Sequence, residues 1–297
     1  MRFIHFSDAQ GKGLATKHAD GGWHGLNEVD SRYPGDLDRL LAIGSDALRD
    51  AAGVLLSAQA IDLSHIDYLP PLSRSPKIIC IGLNYADHTS ESGFKPQEYP
   101  TVFGRFNSSL IGHGASIVRP KVSEQLDYEG ELVAIIGKAG RHISKEHALD
   151  HVAGYALFND ASIRDYQFKS PQWTVGKNFD HTGAFGPEFV TADELPPGAR
   201  GLHLRTKLNG QIVQSASTDD MVFDVATLIE TLSVAFTLEA GDLIVTGTPA
   251  GVGLARKPPL WMKPGDVCEI EVDGFDTLRN LIVDEDAHLQ APGQQAA

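Results

Sequence analysis

The segment Asp127-Tyr128-Glu129-Gly130-Glu131, with Asp160 further along, carries the residue types of a hard-cation site. Leu126 to Ile136 reads as a strand, acidic first and then Leu132-Val133-Ala134-Ile135-Ile136. Residues two apart in a strand share a face, so Glu129 and Glu131 point the same way. Carboxylates side by side near a core repel each other and resist losing water. A hard divalent cation relieves both costs. Asp160 ends a second apolar run, Ala156-Leu157-Phe158-Asn159-Asp160, and could supply a third oxygen. An all-carboxylate set favours Mg²⁺, Mn²⁺ or Ca²⁺ over Zn²⁺. The same spacing would also suit a solvated acidic strand start.

Other residues could act beside such a site. His88 and Glu91 are three apart, so a helical turn would bring them together. A carboxylate beside an imidazole orients it and suits it to act as a general base on water. The stretch Phe94 to Pro100 could form a flap. Arg164 and Gln167 follow Asp160 at helical spacing, and Lys177 adds a cation that an anionic substrate would need. Thr246 to Gly253 is a Gly-rich turn without the Gly-Lys-Ser/Thr ending of a P-loop or a Rossmann fingerprint. It can still present N–H groups and hydroxyls to a carboxylate.

These residues need a scaffold, and the chain shows one rich in strands. Lys77 to Gly82 reads as a buried strand. Leu202, Leu204, Thr206 and Leu208 share a face, and Asn209-Gly210 turns into Gln211-Ile212-Val213. Cys268, Ile270 and Val272 alternate with Glu269 and Glu271 before Asp273-Gly274. Asp36, Ser144 and Asp224 are placed to cap helices, and a further helical stretch falls around Ala47 to Gln59. Pro70-Pro71 and Ser73 to Pro76 mark a boundary. The expected class is α+β and strand-rich. A small N-terminal α+β domain spans 1–72, a catalytic domain 73–284 and a flexible tail 285–297.

The formal net charge of −14 argues against a nucleic-acid surface or docking on anionic membranes. No apolar run approaches the ~20 residues that span a bilayer, and the N-terminus lacks a signal-peptide core. Cys80 and Cys268 sit in apolar runs and are expected as buried free thiols. Together these point to the cytoplasm.

Six segments resemble the fumarylacetoacetate hydrolase family: Gly82 to His88, Ser108 to Gly112, Asp127 to Leu132, Gly154 to Asp160, Arg164 to Gln167 and Thr246 to Pro249. They stand in the family's order and cover residues 77 to about 284. The resemblance implies a mixed β-sandwich roll, a small variable N-terminal domain and a homodimer. It implies Mg²⁺ or Mn²⁺ (Ca²⁺ in crystals) on Glu129, Glu131 and Asp160. A His88–Glu91 dyad on a lid and Lys177 would be catalytic; Arg164, Gln167, Thr248 and Arg105 would bind substrate. The implied reaction is hydrolytic C–C cleavage of an acylpyruvate-type 2,4-dioxo acid to pyruvate and a carboxylic acid. Decarboxylation of oxaloacetate-like acids, or isomerisation in aromatic catabolism, would use the same site; a non-catalytic metal-binding protein is the third reading. Leu83 stands where many acylpyruvate hydrolases have Arg, Arg105 near a usual Lys, and Gly130 in place of a β-branched or small apolar residue. The stretch Lys257 to Lys263 resembles the branch acting on diketo-deoxy sugar acids.

Overall fold

The computed structural model describes residues 1–87 and 98–289. Its larger sheet is mixed. Nine strands run in the order Trp23–Asn27, Gly11–Lys17, Arg2–Asp8, Gly183–Thr191, Val152–Asp160, Gly130–Ile136, Leu243–Val245, Ile78–Gly82 and Thr101–Gly104. Along this path only Leu243–Val245 and Ile78–Gly82 pair in parallel. The second sheet holds Gln211–Ser217, His203–Leu208, Val267–Val272, Leu278–Asp284 and Ile117–Arg119. The class is α+β and strand-rich, as the sequence implies.

The apolar run after Glu131 is divided between two cores. Gly130–Ile136 is buried at every position. Leu132, Ala134 and Ile136 pack in one cluster with Leu204, Leu208, Ile270 and Leu278 of the second sheet. Val133 and Ile135 join Phe158, Phe185 and Phe189 in the other, against Leu40, Leu41, Leu48 and Leu55 of two helices. A period of two sends alternate side chains to opposite faces, so both faces must be covered when every position is apolar. The second sheet covers one face. The helices Leu37–Ile43 and Ser45–Leu56 cover the other. The strands of the second sheet alternate buried and part-exposed positions, as expected for a sheet with one wet face.

Two expected caps form. Asp36 accepts from the Arg39 amide at 3.0 Å, and Asp224 from the Thr227 amide at 2.8 Å at the head of Val225–Ala235. Ser144 does not cap: Lys145–His151 is a 3₁₀ segment, and its first amide turns outward to Glu230. The Asn209-Gly210 turn forms, both residues at positive φ (53° and 78°). The Asp273-Gly274 signal opens a longer loop, because Ile270 pairs with Leu278. Cys80 and Cys268 are buried free thiols.

The segment expected as a domain over 1–72 shares the large sheet. Arg2 and Phe3 pair with Val190 and Phe189, and its helices bury their apolar face on that sheet. Of the expected tail, Glu285–Leu289 is a short helix and residues 290–297 lie outside the described ones.

Gly130 has a packing reason. A Cβ there would stand 2.1 Å from Thr206 Oγ1 and 3.0 Å from Ile270 Cδ1 on the facing sheet. Thr206 is tied by its hydroxyl to Gln214 Oε1 at 2.7 Å and cannot retreat freely. Gly130→Val should therefore destabilise the fold by about 1–3 kcal/mol, read as a lower urea midpoint at unchanged slope. An unchanged midpoint would contradict the close approach.

Candidate active site

Strand pairing assembles the acidic residues. Gly130 faces Asn159 and Glu131 faces Phe158, and the Asp160 amide donates to the Glu129 carbonyl at 2.8 Å. This register places Asp160 beside the two glutamates. One oxygen from each of Glu129, Glu131 and Asp160 lies within 4.8 Å of the others, and all three residues are at most 5 % exposed.

Buried like charges need compensation. Lys177 Nζ donates to Glu129 Oε2 at 2.6 Å and to Asp160 Oδ2 at 2.7 Å. Arg164 Nη2 lies 2.7 Å from Glu129 Oε1, and its Nε donates to Asp127 Oδ2 at 2.8 Å. Arg105 Nη1 pairs with Asp160 Oδ1. Glu131 accepts from the Gly247 amide at 2.5 Å, so the Gly-rich turn does present an N–H to a carboxylate, one of the protein's own. Asp127, Glu129, Glu131 and Asp160 against Arg105, Arg164 and Lys177 leave a formal excess of one negative charge.

The electrostatics follow. Burial pushes the Glu131 carboxyl well above its ordinary range, and the charges of Asp160 and Glu129 push it further. Burial alone would lower the Lys177 ammonium, but Asp160 and Glu129 outweigh it and the net shift is upward. Lys177 is thus held charged. The donor set fits a hard dication: three buried carboxylate oxygens converge, and the cluster remains negative after its own cations are counted.

The cations are placed by short elements. Arg164–Gln167 and Thr174–Lys177 are single-turn helices. They touch at Gly176, where a Cβ would fall 2.2 Å from the Gln167 amide nitrogen. Only glycine allows the approach that carries Lys177 to the carboxylates. Arg164 Nη1 also donates to Gln167 Oε1 at 2.9 Å. Asp127 holds Arg164 while accepting from the amides of Tyr128, Gly253 and Leu254. Thr248 donates to the Gly130 carbonyl at 3.0 Å and accepts from Gln214 Nε2 at 2.8 Å.

Above this floor lies a cavity of about 400 Å³. Glu129, Glu131, Arg164, Gln167, Lys177 and Thr248 line it, with Leu83, Phe103, Phe168, Trp173, Val252 and Leu254 as apolar wall and Lys257 exposed at the rim. The sequence-predicted residues Glu129, Glu131, Asp160, Lys177, Arg164, Gln167 and Thr248 therefore come together. Arg105 is placed otherwise. It was expected to touch substrate, but its side chain is fully buried behind Asp160 and also bonds Ser109, Ala161 and Thr182. Its guanidinium faces the back of the carboxylate and orients it. His88, Glu91 and most of the expected flap lie outside the described residues. Phe103, Trp173 and Asp127's hold on Arg164 were not read from the sequence. One signal was available for Trp173: Gly82, at the end of a buried strand, leaves the space its ring fills, a Cβ there falling 2.4 Å from the indole.

The chain matches the fumarylacetoacetate hydrolase C-terminal family over residues 77–283. It is 39% identical over 289 residues to the mitochondrial oxaloacetate tautomerase fahd2 of Xenopus laevis, covering 95% of this chain and 90% of that one. The fumarylacetoacetate hydrolase of psychrophilic Exiguobacterium antarcticum superposes with a TM-score of 0.83 at 34% identity, covering 96% and 99% of the two chains. A maleylpyruvate hydrolase from Sphingobium sp. SYK-6, solved with manganese(II) and pyruvate, superposes with a TM-score of 0.78 at 27% identity over 96% and 99%. With the carboxylate triad and its sheet in place, the chain belongs to the fumarylacetoacetate hydrolase family of enzymes.

Proposed function

We propose that the enzyme interconverts the keto and enol forms of an oxaloacetate-like 2-oxo dicarboxylic acid. The observation that carries this reading is a buried floor of three carboxylates and a charged lysine, in a chain similar over nearly its full length to an oxaloacetate tautomerase. Glu129, Glu131 and Asp160 would hold Mg²⁺ or Mn²⁺, which when bound supplies Lewis-acid polarisation of a 2-oxo acid. Arg164, Gln167 and Thr248 line the floor and bind the substrate's 1-carboxylate end. Lys177, charged and fixed by two carboxylates, stands ready beside the oxygen that gains charge on enolisation. A donor that needs no reorganisation is effective where water is excluded, and the apolar wall of Phe103, Trp173 and Leu254 excludes it. Lys257 at the rim supports a second carboxylate on the substrate. His88, oriented by Glu91, is in this proposal the base that moves the proton.

Tautomerisation needs a proton shift at C3 and no attacking water. The second reading, hydrolysis of an acylpyruvate to pyruvate and an acid, uses the same enolate-stabilising floor and adds a water activated by His88. It is favoured by the maleylpyruvate hydrolase neighbour with its manganese and pyruvate. A homodimer belongs to both readings, supported by the exposed Phe106 and Val175 beside the site.

Oxaloacetate in deuterated water should exchange its C3 hydrogens faster with enzyme, followed by proton NMR. An acylpyruvate in ¹⁸O-labelled water should give no label in a released acid; incorporation at turnover rates would move the assignment to hydrolysis. Glu129→Ala should lose bound Mg²⁺ or Mn²⁺ and activity together, measured by metal analysis after dialysis alongside the exchange rate. Lys177→Met should keep substrate affinity within a few-fold and lower kcat by ~10²–10³, the usual cost of removing one such donor. Parent-level kcat in that variant would remove Lys177 from the chemistry.

A further inference from the structure

The N-terminal hairpin carries a second group of ligating side chains, on the sheet edge at the far end of the strand order from Thr101–Gly104. Gly11–Lys17 and Trp23–Asn27 pair with Thr16 opposite His24 and Lys17 opposite Trp23. Cross-strand partners share a face, and His18 lies two residues beyond Thr16, so His18 and His24 emerge on the same side. Their rings stack with centroids 4.8 Å apart. The turn between them is closed by His18 N–H to Gly22 O at 2.7 Å and Gly21 N–H to His18 O at 2.9 Å. Within it, the Gly22 amide donates to Asp20 Oδ1 at 2.8 Å, which folds the Asp20 carboxylate back to 2.9 Å from His18 Nδ1.

We propose that His18, Asp20 and His24 form a second cation site, for a borderline first-row dication such as Zn²⁺, independent of the carboxylate floor. One ligating atom from each lies within 4.8 Å of the other two. A tetrahedral ion with bonds of ~2.0–2.2 Å wants ligand atoms about 3.4 Å apart. All three side chains are at least partly exposed, so small rotations close that gap without disturbing a core. His24 is prepared for the role. Its Nδ1 lies 2.8 Å from the Ala58 carbonyl, which can only accept, so Nδ1 carries a proton and Nε2 is the nitrogen left to face an ion. A backbone carbonyl behind the far nitrogen is the usual support of a metal-bound imidazole. Lys17, the residue before His18, is turned away to Asp276 at 2.9 Å and lies over the Trp23 ring.

Two imidazoles and one carboxylate select differently from three carboxylates. The hairpin set prefers Zn²⁺, Ni²⁺ or Cu²⁺ and has little attraction for Mg²⁺, whereas the floor suits Mg²⁺ or Mn²⁺. A bound ion would tie residue 18 to residue 24 and pin the tip of an edge hairpin.

The test uses the full chain with Zn²⁺ as probe. Equilibrium dialysis with metal analysis should find one zinc fewer per chain in the His18→Ala/His24→Ala double variant than in the parent, with oxaloacetate exchange unchanged. On the parent itself, Zn²⁺ should protect His18 and His24 from diethyl pyrocarbonate, mapped by peptide mass, and Mg²⁺ should not. Equal zinc counts in parent and variant, or equal labelling of both histidines with and without Zn²⁺, would overturn the site. Neither readout depends on the reaction proposed for the central cavity.

Discussion

The structure is organised around keeping like charges together out of water. Glu129, Glu131 and Asp160 would each be more stable alone in solvent, and the fold holds them adjacent by answering every one with a fixed donor. Lys177 bridges two of them, Arg164 ties one to Asp127, Arg105 backs the third, and a backbone amide serves Glu131. Removing a single member from such a set exposes the remainder, and breaking a buried pair commonly costs about 3–5 kcal/mol. The floor therefore behaves as one unit. With Glu131 ionised the floor is one charge short of neutrality, and a dication would offset the burial and like charge that otherwise favour its protonated form.

The scaffold answers the same need. A strand that bears a buried carboxylate at one end and an unbroken apolar run at the other can be rigid only if both faces are packed. The second sheet supplies one cover and the two N-terminal helices the other. Close approaches at Gly130 and Gly176 then set the positions of the glutamates and of Lys177 to within the reach of a hydrogen bond. No helix among the described residues is long and apolar enough to cross a membrane, and the apolar content goes into these two cores.

The parts legible in the sequence are those governed by short-range periodicity. The alternation of Leu204, Thr206 and Leu208 predicted a half-buried sheet. The single strand expected over Leu126 to Ile136 is instead broken: Leu126–Asp127 pairs with Ser162–Ile163, and Gly130–Ile136 joins the large sheet. Glu129 sits in the break, brought to Glu131 and Asp160 by tertiary packing rather than by the strand period. The caps at Asp36 and Asp224 were readable because capping is local. The Ser144 cap failed because the segment winds as a 3₁₀ helix, in which the His147 amide is taken by the Ser144 carbonyl at 3.0 Å instead of its hydroxyl. Arg105 was misplaced for a related reason: residue type says that an arginine will meet a carboxylate, not from which side. Phe103 and Trp173 look like core in a sequence and become cavity wall only through tertiary packing. The continuity of residues 1–72 with the main sheet rests on the pairing of Arg2 with Val190, a contact no local pattern announces.

That pairing has a consequence for how the chain is made. Arg2–Asp8 is made well before its partner Gly183–Thr191, and the Gly247 amide that serves Glu131 comes later still. The central strand cannot settle until Leu243–Val245 arrives beside it. Such long-range closure is slow, and a nascent chain of this topology carries unpaired apolar strands through most of synthesis. The acidic floor is thus completed only once the chain has been made through Gly247, more than a hundred residues after Glu131.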